Sequence, residues 1–107
     1  MPTLAIAAIT DVNFGNGIVD YLRRIDDTME PFGGRYLVHG GPKAVLEGDW
    51  PGDVVILEFP DRTSAEDWYA SDAYRAIRPL RTENSKGDVI LIDTVAPGHR
   101  GPDILPA

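Results

Sequence analysis

Along this chain, short apolar runs alternate with two longer stretches in which apolar residues recur every three or four positions. Thr3 to Thr10 is apolar and rich in Ile and Ala. Its shortness, and the Asp-Val-Asn-Phe-Gly-Asn-Gly stretch behind it, predict a strand. Ile18, Leu22, Ile25, Met29 and Phe32 then follow helical spacing, which predicts a first helix closed at Gly33-Gly34. Arg35 to His39 alternates polar with aromatic or aliphatic residues and stops at Gly40-Gly41-Pro42, a second strand and a turn. A short extended continuation over Lys43 to Leu46 is compatible with the pattern. The turn formers between Glu47 and Asp53 reverse the chain before a third strand, Val54 to Phe59, so strands two and three should form a hairpin. Thr63-Ser64-Ala65-Glu66 has the spacing of a capping box and predicts the start of a second helix. Its inward face reads Ala65, Trp68, Tyr69, Ala73, Ala76, Ile77 and Leu80, with a break near Ser71-Asp72 and an end near Arg81. Gly87-Asp88 introduces a last strand, Val89 to Val95. Residues 96–107 hold three prolines and two glycines and predict a tail without regular structure.

The order β-α-β-β-α-β predicts an α+β, ferredoxin-like fold over residues 1–95: a four-stranded antiparallel sheet with two helices on one face. Such a sheet normally alternates apolar and polar residues, yet Val54-Val55-Ile56-Leu57 and Val89-Ile90-Leu91-Ile92 are apolar on both faces. Two helices cover one face only. A second copy of the chain would bury the other, which predicts a homodimer through the sheet faces, a dimeric α/β barrel.

A length of 107 residues leaves room for one domain, and 43% hydrophobic content suffices for a core. The formal charge of −7 disfavours nucleic acid and anionic membrane surfaces as partners. The absence of cysteine removes disulfides, thiolate catalysis and cysteine-based metal sites. The apolar N-terminus lacks a basic flank and reaches Asp11 before a membrane-spanning length of about 20 residues. These features suit a cytoplasmic protein.

Motifs with defined chemistry are absent. Gly15-Asn16-Gly17 is followed by Asp20 where a dinucleotide fingerprint needs glycine. Asp11-Val12-Asn13 opens like a calcium loop, but Asn16 and Leu22 stand where glycine and the bidentate glutamate belong. His39 and His99 are the only histidines, too few for a multi-histidine metal site within one chain, and no metal is expected. The candidate polar site is Arg35, His39 and Glu58. On a regular strand Arg35, Leu37 and His39 share a face, so two basic side chains would line one wall. Glu58 lies on the face of Val54 and Ile56, and a His39–Glu58 pair could act as a general base. Equally, Arg35 and Glu58 could form a rim ion pair while His39 caps a strand end. Trp68 and Tyr69, with Tyr74, could floor a ligand pocket or simply pack in the core. Trp50, in a turn, has no helical stripe to explain it and could gate a pocket or meet a dimer partner.

The segments Gly33 to Pro42, Leu46 to Trp50, Glu58 to Pro60 and Ala65 to Tyr74, taken in order, resemble the bacterial family catalogued as domain of unknown function 1330, of the dimeric α/β-barrel superfamily. The resemblance covers Thr3 to Val95 and implies the ferredoxin-like fold and a face-to-face sheet dimer, without an assigned reaction. Two departures stand out: family members often carry Arg where this chain has His39, and the tail from Ala96 is an addition. The superfamily includes cofactor-free monooxygenases and isomerases. By analogy, the chain is expected to be a homodimer that holds a small, anionic organic molecule between sheet and helices, with Arg35, His39, Trp50, Trp68 and Tyr69 around it. No bound cofactor is called for. A non-catalytic ligand-binding or regulatory module is the alternative. A haem-dependent member, with His39 as axial ligand, is a third reading.

Overall fold

The computed structural model describes residues 1–106; Ala107, the last residue of the expected tail, lies outside them. The elements are β1 (Thr3–Thr10), α1 (Asn16–Met29), β2 (Arg35–His39), β3 (Asp53–Phe59), α2 (Arg62–Ala70), α3 (Asp72–Thr82) and β4 (Lys86–Asp93). The sheet runs β2-β3-β1-β4, with every neighbouring pair antiparallel. This is the ferredoxin-like α+β arrangement expected from the element order. In each half a helix carries the chain past one intervening strand, so the helices lie together over one face.

Side chains alternate across the pleat, and the pairings fix which ones face the helices. Thr3, Ala5 and Ala7 of β1, Leu57 and Phe59 of β3 and Leu91 of β4 pack on that side, with the core built by Tyr21, Ile25, Met29, Ala65, Trp68, Tyr74 and Ile77. Burying these aromatics and branched aliphatics contributes roughly 1.5–3 kcal/mol for each large side chain. Leu4 and Ile6 of β1, Val54 and Ile56 of β3 and Ile90 and Ile92 of β4 lie on the other face, where Ile90 is 53% and Ile92 46% exposed.

Helix α1 begins two residues before Ile18 and ends in a short 3₁₀ helix over Glu30–Phe32. Gly33 follows with φ +72°, a left-handed conformation that closes the helix and that a side chain would strain. Its inward residue at the second turn is Tyr21; the expected Leu22 is 40% exposed. The second helical stretch is capped two residues earlier than Thr63. Asp61 is the N-cap, its carboxylate accepting the Ser64 backbone N–H at 2.7 Å, and that bond holds the Asp61 carboxyl below the ordinary carboxylate range. Thr63 therefore lies inside the helix and the expected capping box does not form.

The break at Ser71 is present and divides the stretch into two helices, so the face carries three helices rather than two. Ser71 Oγ donates to the Trp68 carbonyl at 2.7 Å and accepts the Tyr74 N–H at 3.3 Å, ending α2 and capping α3. Breaking the helix resets its phase. Tyr74 and Ile77 turn inward, while Ala73 and Ala76, inward on an unbroken helix, are exposed.

Strand β4 starts at Lys86, earlier than expected, because Gly87 does not break it. Gly87 pairs with Ile9, and a Cβ there would strike the Ala8 carbonyl oxygen, so glycine is what lets β1 and β4 approach. The connection between β2 and β3 carries no strand at Lys43 to Leu46. After β4, Thr94 donates through both its N–H and its Oγ to the Pro2 carbonyl, at 3.0 and 2.8 Å. The tail beyond it is not wholly irregular: Gly101–Ile104 forms a 3₁₀ turn, with the Arg100 N–H donating to the Asp103 carboxylate at 2.9 Å.

Trp68 is 2% exposed and packs on Phe59 and Tyr74, with ring centroids 5.1 and 4.1 Å away. Trp68→Ala is expected to cost about 3–5 kcal/mol in denaturant unfolding; a loss below about 1 kcal/mol would show that the fold does not depend on this indole.

Candidate functional site

The small side chains of Ala5 and Ala7, at the middle of the sheet, leave space that the overlying helices do not fill. The result is a cavity of about 320 Å³ between α1, α3 and the helix-facing side of the sheet. Ile18, Tyr21 and Ile25 line it from α1, Trp68 and Tyr69 from α2, Tyr74 and Arg81 from α3, and Val55 and Leu57 from β3. Most of the wall is hydrocarbon or aromatic, which suits a small organic molecule more than a hydrated ion.

The few polar groups are clustered. Tyr21 and Tyr74, both buried, join their hydroxyls at 2.8 Å, and their rings meet edge to face with centroids 6.2 Å apart. Arg81 lies with its guanidinium carbon 6.0 Å from the Tyr21 ring centre. Burial pushes the Tyr21 hydroxyl well above the ordinary phenol range, and the adjoining Tyr74 adds to that shift, so Tyr21 is a neutral hydrogen-bonding group. Burial works against the charge on Arg81, but the adjoining Tyr74 and Tyr21 outweigh it, and the guanidinium pKa lies above the ordinary arginine value. Tyr36, on the sheet wall, is raised by burial to about 12, with Asp26 and Tyr74 adding to the effect. Trp68 contributes no free donor: its Nε1–H donates to Thr28 Oγ1 at 3.0 Å, and that hydroxyl donates onward to the Ile25 carbonyl at 2.6 Å.

Of the residues picked out from sequence, His39, Trp68, Tyr69 and Tyr74 line this cavity. Arg35 and His39 do not share a wall, because β2 is not regular. The pairing runs Arg35–Glu58, Tyr36–Leu57, Val38–Ile56 and His39–Val55, leaving Leu37 as an extra residue in a bulge. One extra residue swaps the faces beyond it. His39 thereby joins Tyr36 on the helix side, their rings stacked at 4.3 Å, while Arg35 stays on the opposite face with Glu58. There the Arg35 Nη2 lies 2.8 Å from the Glu58 carboxylate, and Nε donates to the same oxygen at 3.0 Å. The proposed His39–Glu58 general-base pair is thus not formed within the chain. The Arg35–Glu58 pair is open to solvent and adds about 0–1 kcal/mol. Trp50, 49% exposed on the β2–β3 connection, does not border the cavity.

Sequence reasoning missed Tyr21, Arg81 and Tyr36 as wall residues. The small residues Ala5 and Ala7 on a central strand, opposite a helix carrying Tyr at one inward position, were the available signal. Among the described residues no group of three or more His, Asp or Glu is placed to hold a metal ion, and no helix is long and apolar enough to cross a membrane.

With this geometry in hand, a family model described as Domain of unknown function (DUF1330) matches residues 2–95. The chain belongs to that family. Solved structures share the fold of this DUF1330 chain at low identity. A protein of unknown function from Rhodopseudomonas palustris superposes with a TM-score of 0.67 at 16% identity, covering 90% of this chain and 84% of that one. A dimeric ferredoxin-like protein of unknown function from a Jannaschia species gives 0.56 at 8% identity, covering 86% and 99%. A cofactor-independent oxygenase from Streptomyces nogalater gives 0.55 at 9% identity, covering 92% and 96%. At these identities the likeness is one of fold. No curated protein sequence matches the chain.

The tyrosine pair predicts non-additive energetics. Tyr21→Phe and Tyr74→Phe should each cost about 1–3 kcal/mol by stranding one buried hydroxyl, and the double variant should cost less than their sum. A double-mutant cycle in denaturant reads the coupling directly; strict additivity would mean the two hydroxyls do not depend on each other.

Proposed function

We propose that this DUF1330 chain is a homodimer that holds one small, planar, mainly apolar organic molecule per chain in the cavity under α1 and α3. The observation that carries this reading is the cavity itself. Its volume of about 320 Å³ lies at the small end of the range of ligand pockets, its walls are aromatic and aliphatic, and a single polar cluster is buried within it. A purely structural core would close such a space, since packed interiors leave few voids larger than a water molecule.

The dimer is supported by the uncovered sheet face. Ile90 and Ile92 stand half-exposed beside Leu4, Ile6, Val54 and Ile56, a continuous apolar surface framed by the Arg35–Glu58 ion pair. A stable interface needs about 800 Å² from each partner, which a four-stranded sheet face can supply. The similar fold described as dimeric in the Jannaschia protein agrees with this.

Catalysis is a second step beyond binding. The fold is also that of a cofactor-independent oxygenase, and an enol or phenol held against Tyr21, Tyr74 and His39 would be a substrate of fitting size. Oxygen uptake with a naphthohydroquinone separates an oxygenase from a binding module. The binding module is favoured by His39, whose ring rests on Tyr36 and forms no ion pair with a carboxylate among the described residues.

Two measurements test the reading. Calorimetric titration with naphthol should saturate at one site per chain, and Ala7→Leu, which pushes a larger side chain into the cavity, should weaken it by about tenfold or more while the chain stays folded. Binding that is unaffected by Ala7→Leu would place the ligand elsewhere. Sedimentation at micromolar concentration should give a dimer that Ile90→Asp converts to monomer; a monomeric wild type would overturn the sheet-face interface.

A further inference from the structure

The cavity holds a charge that no acidic side chain answers. Arg81 borders it from the last turn of α3, partly buried, and among the described residues no carboxylate forms a salt bridge with its guanidinium. Arg24, Arg35 and Arg62 have carboxylate partners at the surface, and of the arginines without one Arg81 alone lines the cavity.

The tyrosine pair next to it has a donor to spare. Two hydroxyl hydrogens are available to Tyr21 and Tyr74, and their mutual bond of 2.8 Å uses one. No other acceptor among the described residues takes the second, although both side chains are more than nine-tenths buried. A planar guanidinium and a buried phenol donor beside the same cavity match the needs of an oxyanion, which Arg can meet with two parallel N–H bonds. The other charged or titratable groups around the cavity are Asp53 and His39, both solvent-exposed at its rim on β3 and β2, and the partly buried Tyr36 on β2 and Tyr69 on α2.

We propose that Arg81, together with the Tyr21–Tyr74 hydroxyl pair, is the recognition point for an anionic oxygen, and that the ligand is an aromatic or conjugated carboxylate or phenolate whose ring lies against the apolar wall near Trp68. This rests on the cavity being a ligand site and adds the chemical class of what enters it. Arg35, the basic residue first suggested by sequence, is excluded from this role by the β2 bulge that leaves it on the opposite face.

The test compares naphthoate with naphthamide, nearly the same shape with and without charge, by calorimetric titration of the wild-type protein. Naphthoate should bind about tenfold or more tighter, the gain expected from a charge-assisted hydrogen bond, and naphthylmethylammonium should be rejected. In Arg81→Gln the preference for naphthoate should fall to within about twofold, because naphthoate binding weakens far more than naphthamide binding does, with the thermal melt confirming the fold. Arg81→Lys, which keeps the charge without the planar fork, should retain part of the preference, and Tyr21→Phe should lower naphthoate affinity selectively. Equal affinity of both probes for wild type, or a preference that survives Arg81→Gln, overturns the oxyanion assignment and leaves the cavity reading standing. Failure of both probes to bind wild type overturns the cavity reading and this one with it.

Discussion

The indole of Trp68 joins parts of the chain that are far apart in sequence. Its ring is packed among Phe59 of β3, Tyr69 of α2 and Tyr74 of α3, and its Nε1–H is tied to Thr28 on α1. Three helices are thereby held over the sheet by one side chain that has an apolar body and a single polar tip. Thr28, a polar residue in the core, is there because the indole N–H would otherwise be buried without an acceptor. Removing the indole would take away both the packing and the reason for that hydroxyl.

Holding the helices at this height has a consequence for the sheet beneath them. Where β3 presents Phe59, the gap is filled. Where β1 presents Ala5 and Ala7, it is not, and the space persists as the cavity. The tyrosines around it are large enough to wall the space, and the buried hydroxyls of Tyr21 and Tyr74 satisfy each other. An interior of this kind strengthens the electrostatics of the few charges that border it, which is the physical basis of the role proposed for Arg81.

The two faces of the sheet have different fates for the same reason. The helix side is completed within the chain, and the opposite side, with Ile6, Ile56, Ile90 and Ile92, is as apolar at its centre, with the Arg35–Glu58 pair, Lys86 and Asp88 towards its margins. Apolar surface of that extent has a free-energy cost when left in water, and a second copy is the simplest cover.

Element order, the strand cores, the start of α1, the break at Ser71 and the apolar character of both sheet faces follow from local pattern, because helical and extended periodicities depend only on neighbouring residues. Family membership was likewise visible in ordered blocks from Gly33 to Tyr74, and the comparison over residues 2–95 agrees. What local pattern could not supply is anything that depends on phase or register. A single extra residue at Leu37 moves His39 to the cavity side and leaves Arg35 behind, and alternation along β2 contains no sign of it. The reset at Ser71 turns Tyr74 inward in place of Ala73 and Ala76, although the break itself was foreseeable. Arg81 read as the end of a helix; only the packing of α3 against α1 makes it a neighbour of Tyr21, a residue 60 positions away in the chain. Sequence determines which side chains are available and in what local rhythm. Tertiary structure decides which of them share a face, because face and neighbour are set by long-range pairing, where a shift of one residue reverses the outcome.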